Sequence, residues 1–450
     1  MYENELIKKN EKELTAILVA VCTTGDDTSE EFVHMMEETQ ELISACEMDT
    51  VRWVTQCLVS PNPGTYIGSG KLNELAQLVE LFEADCVVFA DNLSPAQLKN
   101  IADVVEAEVL DRTSLILEIF SRRAKTREAR LQVELANLQY MLPRLVGMRK
   151  NLGRQGGASG ALSNKGSGEK QIDLDRRRIE RRITELRRDL SEVEHHREVQ
   201  RKARAKGNTP QVALVGYTNA GKSTIMNRLV GMSGAEEDKQ VLEKDMLFAT
   251  LDTTIRHIET GDRKDFLLSD TVGFISNLPH DLVRAFHSTL EEVCFADLLL
   301  LVVDVSDPHF VDQLKVTEDT LRTLKADTIP RIYVMNKVDR ILEGVAQENE
   351  LGRIMSFKPG TVIGGDRIYL SAAKGEGVDK LLELIRAQIY GNNEILKLLI
   401  PYTEGNVLGQ IRSGATVLKE EYREDGTFME IDCPDYLAGA LKNNKALTFI

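Results

Sequence analysis

Gly216-Tyr-Thr-Asn-Ala-Gly221-Lys222-Ser223 fits the pattern Gly-x4-Gly-Lys-Ser/Thr, and it sits between the apolar run QVALV and a helical pattern. This context constrains the chain more than any other feature, because the loop needs a strand to deliver it and a helix to leave it. Glycines let backbone N–H groups curl around phosphate oxygens, and the helix N-terminus adds partial positive charge. The loop residues Gly216, Tyr217, Thr218, Asn219, Ala220, Gly221, Lys222, Ser223 and Thr224 are therefore candidates for nucleotide contact. Lys222 would reach the β- and γ-phosphates, and Ser223 would ligate Mg²⁺. Taken alone, the motif also fits an ordinary Gly-rich strand–helix turn.

Three further segments follow apolar strands in a fixed order. Asp270-Thr271-Val272-Gly273 follows FLLS, and an Asp at a strand end can hold Mg²⁺ through water while a Gly N–H approaches the γ-phosphate. Asn336-Lys337-Val338-Asp339 follows RIYVM. The Asp339 carboxylate can accept from the guanine N1–H and exocyclic amine; adenine has no such donor pair, so this residue selects GTP over ATP. Ser371-Ala372-Ala373 follows another strand and would close over the base. A GTPase also needs a mobile Thr that senses the γ-phosphate, and Phe248-Ala249-Thr250-Leu251-Asp252 supplies Thr250 as the first Mg²⁺ candidate, with Thr254 second. Lys222, Thr250 and Gly273 are the expected catalytic set. Phe274 stands where many small GTPases carry a water-orienting Gln, so slow intrinsic hydrolysis is expected. Asn219 stands where certain GTPases hold K⁺ beside the phosphates; the alternative is a loop-capping Asn.

Four segments separate by pattern, giving a multidomain α/β chain. Residues 1–123 alternate strands (Ala16–Val21, Val51–Leu58, Cys86–Ala90) with helices (Glu30–Cys46, Lys71–Phe82, Ser94–Ala107), as expected of an N-terminal α/β domain. Residues 124–206 carry Leu131, Leu135, Leu138, Leu142 and Leu145, then Ile179, Ile183, Leu186, Leu190 and Val193, both at coiled-coil spacing. These read as an antiparallel helical hairpin whose Gly-rich tip, residues 147–170, is expected to be flexible. Residues 207–391 form the expected P-loop GTPase domain with a mostly parallel sheet, and residues 392–450 a small α+β C-terminal domain with strands near Thr416–Tyr422 and Thr427–Cys433. Gly68-Ser-Gly70-Lys71 lacks the preceding motif Gly and reads as a turn entering a helix, which leaves a second nucleotide in the N-terminal domain open.

The six cysteines form no Cys-x-x-Cys pair, so neither a disulfide framework nor a zinc site is expected. No apolar run approaches the roughly 20 residues of a membrane span, and the N-terminus lacks a signal-peptide run, so a cytoplasmic protein without a membrane anchor is expected. A net charge of −15 argues at first against RNA, but it is unevenly spread. Residues 121–210 hold 23 Lys/Arg and 11 Asp/Glu, a net +12, and the other 360 residues carry −27. The basic hairpin is thus a candidate for phosphate backbones, against the plainer reading of a solvated charged coiled coil.

These residues resemble the ribosome-associated GTPase family HflX, within the Obg–HflX superfamily. The resemblance rests on Tyr66-Ile-Gly-Ser-Gly-Lys71, Asp111-Arg-Thr with Leu115-Ile-Leu, Leu131-Gln-Val-Glu-Leu-Ala136, Arg154-Gln-Gly-Gly157 and Asp175-Arg-Arg-Arg-Ile179. It continues through Gly216–Thr224, Phe248–Asp252 and Asp270–Phe274. It implies GTP and GDP as ligands, Mg²⁺ at Ser223 and Thr250, and the large ribosomal subunit with its ribosomal RNA as partner. It also implies that the hairpin tip points toward the peptidyl transferase centre and that the protein splits or rescues ribosomes under stress. Two departures stand out: Asp252-Thr-Thr254 replaces the family's Asp-Pro-Thr, and Gly166-Ser-Gly-Glu-Lys170 replaces Gly-Pro-Gly-Glu-Thr. A monomer is expected. The rival readings are a GTPase switch on a non-ribosomal protein or RNA target, and an RNA-modifying enzyme, for which the sequence offers no group-transfer cofactor site.

Overall fold

The computed structural model describes residues 14–23, 25–145, 165–206, 209–233, 248, 254–260, 264–276, 292–343, 358–390, 394–433, 435–444 and 446–449. The chain divides into two compact units, one of Met1–His196, Asp245–Asp252 and Asn277–His287, the other of Arg197–Lys244, Thr253–Ser276 and Ser288–Ile450.

In the first unit, β1 (Leu14–Cys22), β2 (Met48–Cys57), β3 (Cys86–Phe89) and β4 (Glu108–Leu110) form a parallel sheet in the order β2-β1-β3-β4. The run Ala16–Cys22 is buried throughout, as a central strand covered on both faces must be. Helices α1 (Glu30–Ala45), α2 (Ser69–Phe82), α3 (Pro95–Ala102) and α4 (Arg112–Arg123) make the connections. Gly68 caps α2, so Gly68-Ser-Gly-Lys71 is a turn entering a helix. The expected helix over Ser94–Ala107 stops at Ala102, and β4 follows it. Val105 and Ala107 still pack into the core from the intervening turn, which is why their spacing imitates a longer helix.

The same unit carries α5 (Arg127–Met141) and the 42-residue α6 (Lys165–Lys206) as far as His196; the last residues of α6, from Arg197, belong to the second unit. Their seam buries Leu135, Ile183 and Leu186, with Leu131, Leu138, Leu142, Ile179 and Leu190 packed around them. Arg182 grips Glu134 across the seam with two donors, at 2.7 and 3.0 Å. The expected flexible tip ran to Lys170, but α6 already begins at Lys165; residues 146–164 lie outside the described ones.

In the second unit, seven strands take the order β10-β11-β9-β8-β5-β7-β6: β5 (Gln211–Gly216), β6 (Thr254–Ile258), β7 (Phe266–Asp270), β8 (Leu298–Asp304), β9 (Arg331–Asn336), β10 (Val362–Ile363) and β11 (Arg367–Tyr369). The five inner strands are parallel, and the two edges, β6 and β10, run antiparallel to their neighbours. The sequence does not mark either edge strand, because the polar alternation of TIRHI and a two-residue strand carry little periodic signal. Helices α7 (Lys222–Met232), α8 (Phe310–Thr323), α9 (Val338–Glu343) and α10 (Val378–Tyr390) accompany the sheet. Beyond it, β12 (Glu394–Ile400), β13 (Thr416–Arg423), β14 (Gly426–Cys433) and β15 (Thr448–Phe449) form an antiparallel sheet with α11 (Gly405–Gly414) and α12 (Asp435–Lys442). Among the described residues no helix is long and apolar enough to cross a membrane.

Candidate nucleotide site

Strands β5, β7, β9 and β11 run parallel, so the loops that follow them emerge at one edge of the sheet. Those loops carry Gly216–Thr224, Asp270–Gly273, Asn336–Asp339 and Ser371–Ala373. This is the edge where open α/β sheets bind ligands.

The phosphate loop is shaped by the protein's own contacts. Gly221 caps α7 at φ +94°, and a Cβ there would lie 2.3 Å from Asn336 Nδ2, so only glycine fits. Asn219 also takes the left-handed region, at φ +60°, which Asn tolerates better than most residues. Lys222 donates to Gly216 O at 3.0 Å and Tyr217 O at 2.7 Å, which aims its ammonium along the inside of the loop. Burial pushes this ammonium down to about 8, opposed by the attraction of Asp270 and aided by the repulsion of Lys337. Ser223 Oγ donates to Asp270 Oδ2 at 2.7 Å, so a hydroxyl and a carboxylate converge. Thr218 Oγ1 is buried without a hydrogen-bond partner among the described residues. Ala220 is buried, and Thr224 is half-buried in the first turn of α7.

The remaining loops are tied to this one. The Asn336 side chain donates to Ala220 O at 2.8 Å and accepts from Ala372 N at 3.0 Å, joining three segments. Lys337 pairs with Asp304 at 2.7 Å. Asp339 Oδ1 is buried with no hydrogen-bond partner among the described residues, an acceptor facing no protein donor. Val338 is spent on the core, and Thr271 gives its hydroxyl to Leu214 O, so neither side chain is available to a ligand. Val272 is likewise buried. Gly273 presses against the phosphate loop: a Cβ there would fall 2.8 Å from Thr218 Cα and 3.1 Å from Lys222 Nζ.

Phe248 buries its ring edge-to-face on Phe120, with centroids 4.8 Å apart. Ala249, Thr250, Leu251 and Asp252 lie outside the described residues. Thr254 heads β6 opposite Asp270.

Sequence reasoning missed two contributors. Arg228 of α7 donates through Nε to Ala372 O at 2.9 Å and through its terminal nitrogen to Ala373 O, holding the loop expected over the base. Asp304 fixes Lys337. No motif marks either residue; the i+6 offset of Arg228 from Lys222 is the sole signal, and it is weak.

Residues 33–121 match the family described as GTP-binding GTPase N-terminal, and residues 123–204 match the GTP-binding GTPase Middle Region. Residues 211–337 match the family described as 50S ribosome-binding GTPase. The GTPase HflX of Lacrimispora saccharolytica is 41% identical over 98% of each chain. That of Escherichia coli K12 is 38% identical over 92% of this chain and 91% of its own. A GTP-binding protein from Sulfolobus solfataricus, solved in complex with GDP, is 26% identical, with a TM-score of 0.42 over 84% of this chain and 98% of that one. The chain belongs to the HflX family of GTPases: it binds GTP and hydrolyses it.

Proposed function

We propose that this GTPase acts on the large ribosomal subunit, gripping ribosomal RNA through its basic hairpin and splitting or rescuing ribosomes under stress. One observation carries the reading. Arg177, Arg181 and Arg187 of α6 are exposed and have no acidic partner among the described residues, whereas Arg176, Arg178, Arg182 and Arg188 each have one. At about 100° per residue the three fall within a sector of roughly 120° that flanks the apolar seam at Arg187 and turns away from it at Arg177 and Arg181. A solvated coiled coil has no need of such a stripe, and a phosphate backbone does. The family description of residues 211–337 supports the same partner.

The nucleotide roles complete the proposal. Asp339 reads guanine, and Lys222, Thr250 and Gly273 address the γ-phosphate. The convergence of Ser223 and Asp270 suits a hard divalent cation, so Mg²⁺ belongs there, with Thr250 as a further ligand. Such an ion neutralises charge that develops on the phosphates. Asn219 is the proposed K⁺ ligand; equal turnover in K⁺ and Na⁺ removes that role. The proposed setting is the cytoplasm and the proposed state a monomer.

Co-sedimentation with 50S subunits tests the partner. Binding should weaken steeply with salt, and changing Arg177, Arg181 and Arg187 to Glu should abolish pelleting while leaving GDP affinity intact. Unchanged pelleting of that variant refutes the stripe. Absence of pelleting at low salt in every nucleotide state points instead to a non-ribosomal target.

A further inference from the structure

Tyr217 stands in the phosphate loop, yet its side chain serves the segment that follows Gly273. The residue is buried, and its hydroxyl accepts the backbone N–H of Ser276 at 2.7 Å. Two main-chain bonds join the same stretches: Thr218 N–H donates to Phe274 O at 2.8 Å, and Phe274 N–H donates to Gly216 O at 3.1 Å. They form a single parallel bridge between Tyr217 and Phe274. The tyrosine hydroxyl carries the stitching two residues further than the backbone reaches by itself.

We infer that Tyr217 is a positioning residue for hydrolysis, fixing the backbone of residues 273–276 through Ser276. The Phe274 side chain is buried and cannot polarise water. What this segment can offer a reacting phosphate is its peptide N–H groups, and such donors help most when they need no reorganisation. Two bonds clustered at Phe274 hold the segment at a single residue. A further anchor at Ser276 adds a second point of hold and so limits the play in Gly273. GDP lacks the γ-phosphate that Gly273 faces, so the anchor acts on turnover and leaves GDP binding alone. The inference rests on the proposed role of Gly273.

Tyr217→Phe keeps the ring and its packing and deletes the hydroxyl that accepts from Ser276 N–H. In the full chain, single-turnover hydrolysis at saturating GTP should slow about 5- to 10-fold, a typical hydrogen bond's share of a barrier. KM and GDP affinity should stay within about 2-fold, and hydrogen exchange at the Ser276 amide should accelerate at least about 10-fold. Unchanged or faster turnover overturns the assignment. So does a parallel fall in GDP affinity, which marks a merely structural role, and so does an unaltered exchange rate at Ser276. Gly273→Ala in the same assay separates the layers. If it too leaves turnover intact, the reading of Gly273 fails first; if it stops turnover while Tyr217→Phe does not, only the anchor fails.

Discussion

Arg228→Ala should weaken GTP and GDP alike and leave saturated turnover alone. The guanidinium makes two charge-assisted bonds, to Ala372 O at 2.9 Å and to Ala373 O, and thereby holds the Ser371–Ala373 loop. Hydrogen bonds to charged groups contribute about 1.5–3 kcal/mol when buried, but Arg228 lies at the surface. Discounting for water, the pair contributes about 1–2 kcal/mol to ordering that loop. If the loop must be ordered to cover the base, this whole amount appears as lost affinity, roughly 5- to 30-fold. The loop touches no phosphate in the proposed site, so the loss should be equal for GTP and GDP. Titration with fluorescent GDP and non-hydrolysable GTP analogues measures both. Arg228→Lys, with a single point charge and no fork, should recover only part of the loss. A change below 2-fold, or one that separates GTP from GDP, would refute the clamp.

Asp339→Asn replaces an orphaned acceptor with an amide that also donates. Guanine should be rejected and xanthine accepted, visible as a preference for XTP in direct competition. Lys222, held near 8 against an ordinary 10.5, should make binding pH-dependent. Between those values the unfolded chain holds a proton that the native protein has released, so the penalty of this group on folding is full below about pH 8 and fades as pH rises. Nucleotide binding runs the other way: it needs the ammonium, so GDP affinity should fall up to about tenfold per pH unit above 8, with proton uptake in calorimetry. A flat affinity from pH 7 to 9.5 contradicts this. Leu186→Ala removes a fully buried seam residue and should cost about 2–4 kcal/mol in the hairpin. Limited proteolysis should then cut α6 sooner, while GDP affinity holds; equal digestion rates would show that the seam is not what orders the helix.

The features legible in the sequence share one property: the signal is local. The inner strands are continuous apolar runs, so Leu298–Asp304 could be placed without its neighbours. The hairpin seam repeats a single spacing, and the nucleotide loops are short strings at strand ends. What escaped depends on partners distant in sequence. β6 becomes a strand because β7 lends it an edge, not because TIRHI alternates strongly. β12 lies centrally between β14 and β15, yet its pattern is mixed because it belongs to a one-sided sheet. Arg228 acts on residues 144 and 145 positions away, and no spacing rule spans that distance. The packing of Phe248 escaped in the same way: its ring meets Phe120, 128 positions before it.

The strand order divides the site's labour. In β11-β9-β8-β5-β7 the phosphate loop leaves β5, Gly273 follows the adjacent β7, and the base-binding loops lie on β9 and β11 beyond β8. The phosphate loop therefore meets the γ-phosphate sensor on one flank and the base clamp on the other. Asn336 reaches back past β8 to Ala220, and Tyr217 reaches to Ser276 the other way. On the base side Arg228 ties Ala372 and Ala373, and that tie shares no partner with the Tyr217–Ser276 bond, so their losses should not interact. Effects at sites without shared partners add to within about 0.3–0.5 kcal/mol. A double variant, Arg228→Ala with Tyr217→Phe, should show the affinity loss of the first and the turnover loss of the second, each unchanged to within about 2-fold. Coupling well beyond that limit would mean that the phosphate loop transmits strain between its flanks, and affinity and turnover would no longer be separable properties of this sheet.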